Sequence, residues 1–172
     1  MAADMATVRM ATRLLIRRVA DLPLALPYEL RCRSRLRAEL PGGEAVGVRL
    51  ERGQLLRGGD QLLIDDGRVI EVVAAAEQVS TVQCADPRQL ARAAYHLGNR
   101  HVSLQLGSDW LRYLHDHVLD EMITGLGLSV TVEQAPFEPE AGAYHAGSIH
   151  ADPHQRESHA GHHHGGHHHA HR

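Results

Sequence analysis

The chain has 172 residues, a formal charge of −3 with histidine neutral, and eighteen basic residues, all of them arginine. Those arginines are interleaved with acids along most of the chain, so no basic stripe for nucleic acid emerges. No apolar run approaches the roughly 18 residues that a membrane span needs, and two cysteines without a CxxC spacing support neither a disulfide framework nor a zinc knuckle.

Met1, Met5 and Met10 all precede the first patterned segment, leaving the start codon open. Arg17-Arg18 followed by VADLPLALP resembles a twin-arginine leader only superficially, because the apolar run is short and holds Asp21 and two prolines. It is read as a strand and a loop, and the chain is expected to be soluble and cytoplasmic. Cys32 and Cys84 are read as half-buried packing residues.

From about Thr12 to Ala74 the pattern is one of short strands. RLLIRRV and ELRCRSRLRAEL carry period-two or short apolar runs, Pro41-Gly42-Gly43 makes a turn, and AVGVRLERG resumes the alternation. Arg31, Arg33, Arg35 and Arg37 alternate, which on a strand puts all four on one solvated face. QLLI, the turn Asp65-Asp66-Gly67 and RVIEVVA then read as a hairpin, with the two aspartates serving backbone geometry. Five or six strands without a helix predict a small barrel or sandwich.

After Ala76 the punctuation changes. EQVSTVQC alternates as a strand, and Asp86-Pro87 is a helix cap followed by proline at the first helical position. Leu90, Ala93, Ala94 and Leu97 recur at helical spacing and Gly98 ends the helix. VSLQL and WLRYLH are strands around the turn Gly107-Ser108-Asp109. Asp116 can then cap a helix to about Thr124, and LSVTVEQ is a last strand. The order βαββαβ is the ferredoxin-like arrangement, so the fold class is α+β. It fixes no function by itself.

The histidines placed on this scaffold carry the chemistry. His101 stands at a helix-to-strand junction, and His115 and His117 flank Asp116. If the strand reaches His117 the two imidazoles share a face; if Asp116 caps the helix they diverge at the junction. His96, inside the helix beside Leu97, is read as structural. From about Pro136 the chain is rich in proline, glycine and small polar residues and is expected to be disordered. Eleven histidines fall there: His145, His150, His154, His159, His162, His163, His164, His167, His168, His169 and His171. Neutral imidazole is the commonest side-chain ligand for nickel, copper and zinc, so the segment reads as a multi-site cation trap. Its interrupted spacing is unlike the unbroken run of a purification tag.

A resemblance covers nearly the whole chain. Tyr95-His96-Leu97-Gly98-Asn99-Arg100-His101, Leu104-Gln105, Leu111-Arg112-Tyr113, His115-Asp116-His117-Val118-Leu119, Pro136 to Tyr144 and the histidine-rich tail together resemble the UreE family of nickel metallochaperones. Leu55-Leu56-Arg57-Gly58-Gly59-Asp60 is also similar to that family. The resemblance implies a β domain like a peptide-binding module over 1–75, a ferredoxin-like metal-binding and dimerisation domain over 76–144, and a metal-binding tail over 145–172. It implies that His101 is the principal nickel ligand at a homodimer interface, with His115 and His117 as accessory ligands. Leu114 stands where some members carry a further histidine, which implies a weaker accessory site.

The function so implied is capture of Ni(II) as cargo and delivery, via the urease accessory GTPase complex, to apo-urease; Zn(II) or Cu(II) is expected to bind as well. The alternative is a histidine-rich storage or detoxification protein. A metal-dependent hydrolase on His115 and His117 is disfavoured, since the chain has no HExxH, P-loop or GxSxG.

Overall fold

Strand β1 (Arg9–Leu14) lies at the middle of the first sheet, parallel to β4 (Ala45–Arg49) on one side and antiparallel to β5 (Gln61–Ile64) on the other. The computed structural model describes residues 8–141. With β2 (Leu22–Leu26), β3 (Arg35–Glu39) and β6 (Val69–Ala74) the order is β2-β6-β5-β1-β4-β3. This is one open sheet curled into a half-barrel, so the small barrel expected is met in part and the sandwich is not. Its concave core is aliphatic, with Leu24, Leu36, Val46, Leu56, Leu62, Ile64 and Val72 buried together. Each such side chain contributes about 1.5–3 kcal/mol by leaving water.

Three expectations for this region need correction. The run RLLIRRV is not a strand throughout: Leu14 pairs with Gln61, the first residue of β5, so nothing lies beyond it to pair with. Leu15 and Ile16 therefore stand exposed. Nor do the four alternating arginines share a face. Pro27 opens a helical turn, α1 (Tyr28–Arg31), its carbonyl accepting from Leu30 and Arg31 N–H, and β3 begins only at Arg35. Arg31 is thereby carried inward and is fully buried, whereas Arg33, Arg35 and Arg37 remain exposed. Cys32 is exposed rather than half-buried; Cys84 is half-buried as read.

The second sheet follows the order strand, helix, strand, strand, helix, strand: β7 (Ala76–Gln83), α2 (Pro87–Gly98), β8 (Gln105–Leu106), β9 (Trp110–Leu114), α3 (His117–Gly125) and β10 (Val130–Pro136). All neighbours in its order, β10-β7-β9-β8, are antiparallel. Inward residues of the strands (Val82, Leu111, Tyr113) meet the apolar faces of the helices (Ala93, Leu97, Ile123). Both caps form as expected: Asp86 accepts from Arg88 N–H, and Asp116 from Val118 and Leu119 N–H. Only two residues of VSLQL form a strand. Val102 N–H turns back to the Leu97 carbonyl, and the Leu104 carbonyl accepts from Glu140 N–H, so neither joins the ladder. Among the described residues no helix is long and apolar enough to cross a membrane.

The stretch from Pro136 to Glu140, expected to be disordered, instead ends β10 and continues as a packed strap that ties the sheets together, because Phe137 is buried and Glu138 is hydrogen-bonded. Phe137 is buried, its ring meeting Tyr28 edge-on at 5.3 Å between centroids. Buried Arg31 donates to the carbonyls of Leu26 (3.1 Å), Leu56 (3.3 Å) and Phe137 and to Glu138 Oε1 (2.9 Å). Arg57 reaches Glu138 Oε2 at 3.2 Å, and Gly58 N–H donates to Oε1 at 2.8 Å. A Cβ on Gly58 would sit 3.1 Å from that oxygen, so a side chain there would crowd the carboxylate.

Candidate metal centre

The three histidines read as donors in the folded part lie at one end of the second sheet. His115 follows β9 and its N–H donates to the Gln78 carbonyl near the start of β7. The pairings Gln105↔Arg112 and Thr81↔Arg112 set the loop before β8, with His101, toward that same end. Helix α3 starts there with His117 as its first residue.

His101 has φ of 57°, the one left-handed residue other than glycine among those described. Its N–H closes on the Gly98 carbonyl at 2.9 Å, while Arg100 N–H takes Leu97 and the Arg100 guanidinium caps the His96 carbonyl. The helix end thus dictates the backbone, and histidine tolerates this region better than most side chains. His101 is exposed, and among the described residues no hydrogen bond engages its ring.

His115 differs. Its side chain is 28% exposed, and Nδ1 faces Ser80 Oγ at 3.0 Å and Asp120 Oδ2 at 3.1 Å. The other oxygen of Asp120 accepts from Tyr113 O–H at 2.7 Å. Burial first, then the Asp120 carboxylate beside it, pushes the Tyr113 hydroxyl well above its ordinary range, so it remains a donor. Although a serine, a histidine and an aspartate meet here, both partners address the same ring nitrogen. A nucleophilic triad requires them on opposite nitrogens, so this group relays no proton to an attacking hydroxyl.

His117 is exposed at the start of α3, so the cap geometry separates it from His115 instead of aligning the pair on a strand. A cation there meets the positive end of the helix dipole, offset by the Asp116 carboxylate. Among the described residues no three His, Cys, Asp or Glu side chains converge to hold a metal ion. The tail histidines from His145 to His171 lie outside the described residues. Ser80, Tyr113 and Asp120 were not read from sequence as support for His115; an aspartate five residues after His115 across a strand-to-helix junction was the available signal.

Among the described residues His101 and His117 are thus exposed imidazoles and His115 is half-buried, with no third donor converging on any of them. Comparison with known proteins bears on this directly. The N-terminal domain model of the UreE urease accessory protein matches residues 14–75, and its C-terminal domain model matches 77–171. A urease accessory protein UreE from Alkalilimnicola ehrlichii is 62% identical over 125 residues, covering 73% of this chain and 77% of its own. One from Pseudomonas putida is 58% identical over 130 residues, covering 75% and 78%, and one from an Enterobacter species is 58% identical over 122 residues, covering 70% and 80%. The chain belongs to the UreE family of urease accessory proteins, which are accessory chaperones in urease maturation and not enzymes.

Proposed function

We propose that this chain captures Ni(II) as cargo and passes it, through the urease accessory GTPase complex, to apo-urease during active-site assembly. One observation carries the reading: the C-terminal family match spans 77–171 and so includes His101, His115, His117 and every tail histidine. In this reading the second sheet and its helices are a ferredoxin-like domain over 76–144, through which two chains pair in the cytoplasm, and the half-barrel over 1–75 receives a partner segment. One imidazole supplies one bond, whereas nickel takes about four to six, so His101 holds the ion by meeting its symmetry mate and borrowing further donors. The open shell favours release. Copper should outcompete nickel at simple nitrogen sites and zinc can also bind, so selectivity belongs to partners and supply.

A second reading, metal storage, is favoured by the placement of eleven of the fifteen histidines from His145 onward. Urease activation separates the two, with the full chain compared with His101→Ala and with a chain ended after Tyr144. Delivery predicts that His101→Ala lowers activation at every nickel level, while loss of the tail matters chiefly when nickel is scarce. Storage predicts the reverse: truncation abolishes activation throughout and His101→Ala is harmless.

A further inference from the structure

The ring of His115 is held by Ser80 of β7 and Asp120 of α3, with Tyr113 of β9 behind Asp120. Ser80 and Tyr113 are both fully buried, and they face each other across β7 and β9. Asp120 stands in the first turn of α3, one oxygen occupied by the Tyr113 hydroxyl and the other 3.1 Å from Nδ1. A carboxylate can only accept. A bare Nδ1 lone pair at that distance would be repelled, whereas a protonated Nδ1 gains a charge-assisted hydrogen bond, about twice as strong as a neutral one. Ser80 alone would allow either arrangement, since a hydroxyl both donates and accepts. The carboxylate decides between them.

Nε2 is left without a protein partner among the described residues, and no buried nitrogen there lacks one, so Nε2 is open to solvent. Among the described residues His101 and His117 have no comparable support. We infer that Asp120 is a positioning residue: through Nδ1 it locks the tautomer and orientation of His115, leaving the Nε2 lone pair as the donor offered to an arriving ion. The inference rests on the reading of His115 as a nickel donor. A carboxylate behind a ligating imidazole fixes its tautomer and raises its basicity, and removing such support typically weakens metal binding about 10–100-fold.

Asp120→Asn provides a sharp test. The isosteric amide can still accept from Tyr113 through its oxygen, which protects the fold, but its NH2 then faces Nδ1 as a donor and demands the opposite tautomer. Imidazole 15N resonances would be recorded on the full metal-free chain, with the His115 signals identified by their loss in His115→Gln. Nickel would then be titrated into both chains, following paramagnetic broadening of the His115 signals. The expected result is Nδ1–H in the parent, Nε2–H in the variant, and nickel binding at His115 weakened about tenfold or more in the variant. The inference is overturned by Nε2–H in the parent, or by an unchanged tautomer and unchanged affinity in Asp120→Asn. A locked ring that takes up no nickel in the parent removes His115 as a donor and overturns the inference too. The His101 signals in the same titration would still report whether the wider delivery reading survives.

Discussion

At the scale of single residues, His101 shows chemistry and backbone preference in opposition. A left-handed conformation costs an L residue with a side chain about 1–2 kcal/mol, and glycine adopts it freely. A protein selected only for stability would place glycine after Asn99-Arg100, yet the position holds an exposed imidazole. His101→Gly should therefore raise the unfolding free energy by up to about 1 kcal/mol relative to His101→Ala, while both lose the imidazole. Urea unfolding of the two variants reads this, and a glycine variant less stable than the alanine one would show that the turn is not strained.

At the scale of elements, four charges close a ring around one end of the half-barrel. Arg9 on β1 pairs with Glu44 (3.1 Å) and Asp66 (2.9 Å), and Arg68 pairs with the same two acids at 2.7 and 2.8 Å. The Arg68 side chain lowers Glu44, and its backbone N–H leads the lowering of Asp66. Because both folded values lie below their unfolded ones, the contribution is complete above about pH 5 and fades as pH falls through the depressed values. The thermal midpoint should hold between pH 7 and 5 and drop below about pH 4, with a shallower drop in Arg68→Ala; equal slopes would remove the ring as the cause. This scale was also where the sequence could best be read. Asp86 and Asp116 act on amides two or three residues away, so their roles are local and visible. The turn at Tyr28–Arg31 was hidden by alternating arginines that mimic a strand, and the support of His115 by Ser80 depends on a register 35 residues removed. His101, by contrast, was legible as a helix-end histidine because Gly98 precedes it.

At the scale of the whole molecule, the two sheets meet through a charge that water never sees. Arg31 satisfies three carbonyls and Glu138, a residue 107 positions further along. Replacing it with methionine would retain much of the volume but leave the Leu56 and Phe137 carbonyls without this donor and Glu138 with only Arg57 and Gly58 N–H, so Arg31→Met should lose about 3–5 kcal/mol of unfolding free energy. Exposed Arg33→Met should change it by less than about 0.5 kcal/mol, and equal losses in urea unfolding would show that the burial of Arg31 is not what matters. The same contact imposes an order on synthesis. As the chain emerges, every strand of the half-barrel is made before Glu138 exists, so until the strap arrives Arg31 has the Leu26 and Leu56 carbonyls but neither the Phe137 carbonyl nor the Glu138 carboxylate. The half-barrel therefore gains its last internal partners only once the strap has been made, and a chain ended before Phe137 should unfold at lower urea than the full chain.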